Sequence, residues 1–262
     1  MSNIRLISTF RYLGTLIRSD NRLESEISSR IARASAAFGK LYKRVWNSHD
    51  LTLKTKLAVY KAIVLPILMY SSETWCLYKG DIRRLDSFHM KCLRTILRVK
   101  WQDHIPNTLV LRRMGTQGIE SLLMTNQLRW CGHLVRMDQS RLPKAVFYSE
   151  LSCGKRKSGG QYLRYKDVLK RHLLASNISV DSWEELSRNR TEWRRTIKSS
   201  TSTFERKRLE SLEEKRQIRK SRPKPSYNYT YNEHKQLYCY SCNQTFKTKF
   251  GFASHLRAHA RR

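Results

Sequence analysis

Two cysteines and two histidines near the carboxyl end of the chain have the spacing of metal ligands. Two residues lie between Cys239 and Cys242, three lie between His255 and His259, and twelve lie between the two pairs, which gives C-x2-C-x12-H-x3-H. Zinc prefers thiolate and imidazole ligands in a tetrahedron, and a short hairpin with two thiolates plus one helical turn with two imidazoles supplies them. The spacing predicts one structural Zn²⁺ bound by these four side chains.

The elements that position these ligands can also be predicted from the neighbouring apolar residues. A unit of this size cannot fold on its own core, so it needs a few apolar side chains packed against the metal. Phe246 follows the second cysteine by four residues, Phe252 precedes the first histidine by three, and Leu237 precedes the first cysteine by two. Four unrelated side chains in a basic tail would not explain this placement. We therefore expect a ββα Cys2His2 zinc finger over residues 237–262.

The residues that such a finger would present to DNA are poor base readers. Helix positions −1, 3 and 6 face the major groove in base-reading fingers, and here they are Thr248, Gly251 and Ser254. None of them makes the bidentate contacts that discriminate bases strongly. Phosphate contact is open to the nearby cations Lys247, Lys249 and Arg257. These features predict weakly specific binding of nucleic acid, or a protein contact, through the finger.

The charge of the whole chain points to a polyanionic partner. Its 262 residues include 52 Lys and Arg against 21 Asp and Glu, a formal net charge of +31, while 40% of the residues are hydrophobic. A real core with a strongly basic surface favours RNA and/or DNA as partner. An anionic membrane would attract the same charge, but the sequence has no apolar run of about 18 residues, so no membrane partner is expected.

Cysteine usage and basic clusters suggest an intracellular, nuclear protein. Cys76, Cys92, Cys131 and Cys153 show no tight pairing motif, which favours reduced, buried thiols. The N-terminus lacks the apolar core of a secretion signal. Basic clusters at 155–157 and 215–224 are either import signals or plain solvated surface.

Hydrophobic periodicity predicts a mainly helical chain after a short β-hairpin within residues 1–20. Apolar steps of three and four predict helices over 22–47, 51–71 with a bend at Pro66, and 81–99. The outward face of the last of these is almost entirely cationic, which indicates either phosphate contact or a solvated basic face. Helical face and charge select as candidate phosphate contacts Arg30, Arg33, Arg83, Arg84, Arg94 and Arg98.

Beyond residue 100 the pattern stays helical and basic. Helices are expected at 107–114 and 119–137. Their spacing is compatible either with a helix-turn-helix motif or with two packed helices joined by a short glycine turn. A Gly-rich basic loop follows, in which Lys155, Arg156 and Lys157 either track a nucleic-acid backbone or form ordinary surface. Further helices are expected at 163–176 and 181–198. The charged stretch 203–220 has too few apolar residues for a core face, so a solvated helix or partial disorder is expected.

Four stretches, taken together, resemble a known family. They are Phe10-x-Tyr12-Leu13-Gly14, then 70–75 (Tyr-Ser-Ser-Glu-Thr-Trp), then Arg129-Trp130-x-Gly132-His133 continuing to Met137, and the finger. In this order they resemble the C-terminal part of reverse transcriptases encoded by non-LTR (LINE-like) retrotransposons. The resemblance implies a primer-grip-like hairpin over 1–20, a helical thumb over 21–100 and a basic helical linker over 101–200. Composition and ligand spacing add a charged, partly disordered linker over 201–236 and the finger over 237–262.

The resemblance also bears on catalysis. Polymerisation needs paired carboxylates that hold two Mg²⁺ ions, and the family carries two of them in an aromatic-x-Asp-Asp strand upstream of the primer grip. This sequence has no Asp-Asp pair. We therefore expect a noncatalytic, nucleic-acid-binding fragment of such a polymerase. The alternatives are a protein-interaction zinc-finger module, a host-adopted transposon remnant with a DNA-binding regulatory role, and an enzyme that uses Glu73 or Asp86 near His89 as an acid-base pair.

Overall fold

The computed structural model describes residues 7–19, 22–149, 163–223 and 228–259. Two compact units are present, 1–213 and 214–262. The described residues are mostly helical, with two small antiparallel strand pairs, so the predicted mainly α fold is confirmed. The long helices of the first unit are α1 (Glu24–Lys40), α4 (Lys79–Leu97), α6 (Ile119–Arg136) and α10 (Arg190–Ser221), of which α10 continues beyond residue 213. The shorter ones are α2 (Leu53–Val59), α3 (Leu65–Leu68), α5 (Asn107–Met114), α7 (Leu142–Tyr148), α8 (Tyr165–Ala175) and α9 (Trp183–Arg188).

The expected hairpin near the N-terminus is present. Strands β1 (Thr9–Tyr12) and β2 (Thr15–Arg18) pair antiparallel, and the two-residue turn between them is Leu13-Gly14. Both turn residues have positive φ, 46° and 85°, which is the geometry that matches the twist of a tight hairpin. Glycine supplies this conformation without strain at the second position.

Each of the first two predicted helices contains or ends in a π-helical turn, and the second of these turns lies directly before Pro66. Helix α1 ends at Lys40 and a π-helical turn, Tyr42–Trp46, follows it. The predicted helix 51–71 is α2, a π-helical turn at Tyr60–Val64, and α3. Pro66 lies in the first turn of α3. Because proline has no N–H to donate to the preceding turn, the local hydrogen-bond spacing changes there to the π-helical pattern.

Two hydrophobic cores lie in the first unit, and α6 contributes to both. The first core collects side chains from α1 to α5, including the fully buried Ile27 and Tyr60, and receives Leu123 from α6. The second packs α6 against α8, α9 and α10 around Leu128 and Trp193. None of the helices in the described ranges has the length and apolar character needed to span a membrane.

The charged stretch 203–220 is helical and forms the C-terminal part of α10, as one of the two expectations has it, and its first part also packs on one face. Phe204 and Leu209 pack against the two cores, and the Glu205 side chain is buried. Glu205 accepts hydrogen bonds from the Gly118 amide (2.9 Å) and the Ser121 hydroxyl (2.6 Å) at the start of α6. Packing on one face and this buried carboxylate hold the segment, although its composition is highly charged.

Close contact between α6 and α10 depends on one glycine. A Cβ added at Gly132 would lie 2.1 Å from Nε1 and 2.4 Å from Cδ1 of Trp193. The same indole is 1% exposed and donates from Nε1 to the Leu128 carbonyl over 3.0 Å. Gly132 in the Arg-Trp-x-Gly-His stretch is therefore one point of close contact between α6 and α10.

Candidate metal centre and basic surfaces

The second unit has the ββα arrangement expected for the finger. Strands β3 (Leu237–Cys239) and β4 (Gln244–Phe246) pair antiparallel, and α11 (Lys249–His259) follows. Asn243, in the turn between the strands, has φ 58°, a left-handed conformation that asparagine tolerates better than most residues. The hairpin therefore carries both cysteines and the helix both histidines.

The four ligand atoms converge as a metal site requires. One donor atom from each of Cys239, Cys242, His255 and His259 lies within 4.8 Å of all the others. Cys242 Sγ is 3.0 Å from His255 Nε2, Cys239 Sγ is 3.9 Å from His259 Nε2, and the two Nε2 atoms are 3.0 Å apart. These separations approximate the edges of a small tetrahedron around one ion. The donor set of two thiolates and two imidazoles fits a metal ion.

The apolar residues chosen from the sequence form the small core beside these ligands. Leu237 and Phe252 are buried, and Phe246 packs against them. The Phe246 ring lies 5.5 Å from that of Phe252 and 4.7 Å from that of His255. Phe246 thus connects the core of the finger to a metal ligand and fixes the orientation of that imidazole.

The predicted base-reading positions are exposed or partly used by the finger itself. Thr248 Oγ1 accepts a hydrogen bond from the Gly251 amide (3.1 Å) in the first turn of α11. This side chain is therefore engaged in capping the helix. Lys247, Lys249 and Arg257 are exposed, and Lys249 Nζ lies 5.4 Å from the Tyr229 ring centre. Weak sequence specificity in binding nucleic acid stays a prediction.

The two arginines predicted on α1 hold the hairpin turn. Arg30 is 4% exposed and its Nε donates to Glu26 over 2.6 Å. Its other end donates to the Gly14 carbonyl over 2.8 Å and stacks on the Tyr70 ring at 4.5 Å. Arg33 is half-buried and also donates to the Gly14 carbonyl, over 3.2 Å. The assignment of Arg30 to phosphate contact is corrected, because burial and the Glu26 carboxylate occupy its guanidinium.

Glu26 also helps to hold the hairpin turn. Its second carboxylate oxygen accepts the Leu16 amide over 2.7 Å, and the Tyr70 hydroxyl donates to the Leu13 carbonyl over 3.1 Å. The Phe-x-Tyr-Leu-Gly and Tyr-Ser-Ser-Glu-Thr-Trp stretches therefore meet at the hairpin turn.

The cationic face of α4 is only partly free. Arg94 donates to the Ile105 carbonyl and to the Asn107 side chain, and Arg98 donates to the Asn47 carbonyl. Arg84 lies 3.8 Å from Asp81 and donates to the Ser28 hydroxyl. Arg83 is exposed. Arg84, Arg94 and Arg98 therefore tether neighbouring segments of the chain. Lys155, Arg156 and Lys157 lie outside the described residues.

Both ring nitrogens of His89, one of the residues considered for acid-base chemistry, are bonded to other groups. His89 is fully buried. The Tyr60 hydroxyl donates to its Nδ1 over 2.8 Å, and its Nε2 donates to the Gln117 carbonyl over 3.2 Å. Burial lowers the pKa of His89 to about 4, so the ring is neutral near pH 7. Burial also raises the pKa of Asp86, against the opposing effects of Arg208 and the Ile119 amide. These groups connect the first core to α6.

A strongly basic pocket lies between α6 and α10, and sequence reasoning did not find it. Its volume is about 390 Å³, and its lining residues are Arg129, His133, Arg136, Arg190, Trp193 and Arg194. We call it the arginine pocket. Spacings of four and three residues place the three α6 members on one helical face, which was readable in the sequence. The α10 members come from a segment more than fifty residues later, which local patterns cannot connect.

Comparison with known proteins gives one relative. The chain is 24% identical over 211 residues to a Caenorhabditis elegans protein named as uncharacterized and transposon-derived, and the match covers 75% of this chain and 72% of that protein. No family model matches the chain. No solved structure matches it. The similarity favours a transposon origin.

Proposed function

We propose that this chain is a noncatalytic, nucleic-acid-binding protein that derives from a non-LTR retrotransposon reverse transcriptase and carries one structural Zn²⁺ in a C-terminal Cys2His2 finger. The convergence of four ligand atoms within 4.8 Å at C-x2-C-x12-H-x3-H spacing carries the proposal. The relative named as transposon-derived supports the origin.

Zinc is the ion that the donor set favours. Tetrahedral sites with two sulfur and two nitrogen ligands suit Zn²⁺ better than Mg²⁺ or Ca²⁺, which prefer oxygen. In a unit with so few buried residues, metal binding supplies much of the folding free energy. The ion would hold α11 against the β3–β4 hairpin and keep its exposed cations in fixed positions.

Nucleic acid is the partner that the charge favours. A net charge of +31 attracts phosphate and makes binding strongly salt-dependent, because neutralised phosphates release counterions. Thr248 and Gly251 at reading positions support binding with weak sequence specificity, to RNA and/or DNA. The corresponding cellular location is the nucleus. The noncatalytic part of the proposal rests on the lack of an Asp-Asp pair in the sequence.

Two measurements on the full chain test the proposal. Isothermal titration calorimetry on protein stripped of metal with a chelator should show binding of one Zn²⁺ per chain. Cys239→Ser should abolish this binding. Cys92→Ser, at a buried cysteine outside the cluster, should leave it unchanged. Fluorescence anisotropy with labelled RNA and duplex DNA should show affinity that falls steeply with salt. Binding that is insensitive to salt, or capture of a protein partner in place of nucleic acid, would refute the nucleic-acid part.

A further inference from the structure

We propose that the arginine pocket between α6 and α10 is a binding site for the phosphodiester backbone of a nucleic acid. The proposal rests on the nucleic-acid-binding function proposed above and assigns one place on the first unit to it. Its described lining residues come from α6 and α10, and none of them belongs to the α4 stripe.

Cations from two helices meet in this pocket. Arg129, His133 and Arg136 come from α6, and Arg190 and Arg194 come from the first turns of α10. Arg129, His133, Arg190 and Arg194 are exposed, so their donor groups can reach a ligand. Guanidinium groups present forked N–H donors that match phosphate oxygens.

The pocket has no internal counter-charge in the described part of the chain. None of the ion pairs there includes a pocket arginine. The nearby carboxylates have other partners, since Glu192 pairs with Arg195 at 3.1 Å and Glu184 with Tyr148. An ordinary basic surface mixes signs to gain such pairs. Here the positive charges are left for a ligand to neutralise.

Arg136 is the half-buried cation of the pocket. Its guanidinium donates to the Ser187 carbonyl, which holds it in the lining of the pocket. Burial, and then the charge of Arg190, lower the pKa of Arg136 from its usual value. The N-terminus of α10 adds a partial positive charge at the same place. A bound phosphate would relieve this repulsion.

The shape of the pocket depends on a rigid contact. Trp193 forms the base, held by its hydrogen bond to the Leu128 carbonyl, and Gly132 lets it lie directly on α6. The helices are thereby fixed at a spacing that brings their arginines to one cavity. Backbone phosphate, common to RNA and DNA, fits such a preformed cluster of donors better than any base edge.

The test compares two double variants of the full-length, zinc-loaded chain with equal loss of charge. Arg129→Gln/Arg194→Gln removes two exposed donors from the pocket. The control, Arg188→Gln/Arg206→Gln, removes two arginines that are 71% and 63% exposed and pair with Glu185 and Glu210 outside the pocket. Circular dichroism checks that both variants keep their helices. Anisotropy then measures binding of a short labelled RNA of mixed sequence over a series of salt concentrations.

The pocket variant should lose about tenfold in affinity at low salt, and its slope of log K against log salt should become shallower by about two, since each lost phosphate contact lowers it by about one. The control should keep the wild-type slope. Equal behaviour of the two variants, with steep wild-type binding, overturns the pocket while the proposed function stands. A wild-type chain that binds no RNA or DNA overturns both. Inorganic tripolyphosphate that binds at the pocket without competing with RNA would mean a free polyphosphate ligand, and would also overturn the proposal.

Discussion

Gly132→Ala should destabilise the first unit, although the same change in an exposed helix usually stabilises it. The added Cβ would lie 2.1 Å from Trp193 Nε1, closer than atoms pack, and the indole is buried and cannot move away easily. Overpacking of this kind costs about 1–3 kcal/mol, and a weakened Trp193–Leu128 hydrogen bond adds about 1. The helix propensity of alanine returns about 1 kcal/mol. The net loss in free energy of unfolding is about 2 kcal/mol.

Urea denaturation followed by tryptophan fluorescence measures this change. All six tryptophans lie between residues 46 and 193, so the signal reports the first unit alone. With an m-value of about 2 kcal/mol/M, the midpoint should fall by about 1 M. Gly39→Ala is the control, because nothing lies within 4 Å of a Cβ there, and it should raise stability slightly. In a Trp193→Phe background, Gly132→Ala should cost less, so the double variant loses less free energy of unfolding than the sum of the two single variants. A Gly132→Ala protein as stable as wild type would refute the close-contact argument.

Two further predictions concern buried charge and pH. Arg30→Ala should lower the free energy of unfolding by about 3 kcal/mol in the same urea assay, because it leaves the Glu26 carboxylate buried without its guanidinium partner. Arg33→Ala removes one 3.2 Å hydrogen bond from a half-buried side chain and should cost less than about 1 kcal/mol. Equal losses in the two variants would contradict the buried Glu26–Arg30 pair. His89 has a pKa of about 4 in the folded protein against 6.5 when unfolded, so the unfolded state takes up the proton first and stability falls as pH drops from 6.5 towards 4. This loss in the free energy of unfolding is about 2 kcal/mol between pH 7.5 and pH 5. His89→Gln should reduce the pH dependence of the free energy of unfolding by that amount, and an unchanged pH dependence would contradict the lowered pKa.

Local patterns predicted the parts of this protein in which nearby residues decide the structure. The metal ligands, the Leu13-Gly14 hairpin and the bounds of α5 and α6 follow from spacing and periodicity within short windows. The role of Arg30 was misjudged because a Glu and an Arg four residues apart look like an exposed helical pair, and only the hairpin turn above them makes the pair buried.

Long-range contacts could not be read in the same way. Glu205 caps the start of α6 from 87 residues away in sequence, so composition alone made its segment look solvated. The arginine pocket needs α6 and α10 side by side, and that contact depends on Gly132 and Trp193 meeting across a large sequence separation. Gly132 inside α6 was the available sign that another segment packs closely on this helix, but it does not indicate that the segment carries Trp193.

Helix α6 contributes Leu123 to the first core and Leu128 to the second, and this sharing has a consequence for folding. Opening either core removes the support from part of the same helix, so partial unfolding on one side weakens the other. The two cores are therefore coupled as one cooperative element. A cut in the chain just before Ile119 would leave the N-terminal piece without the α6 side chains that close its core, and neither half is expected to reach a native fold alone.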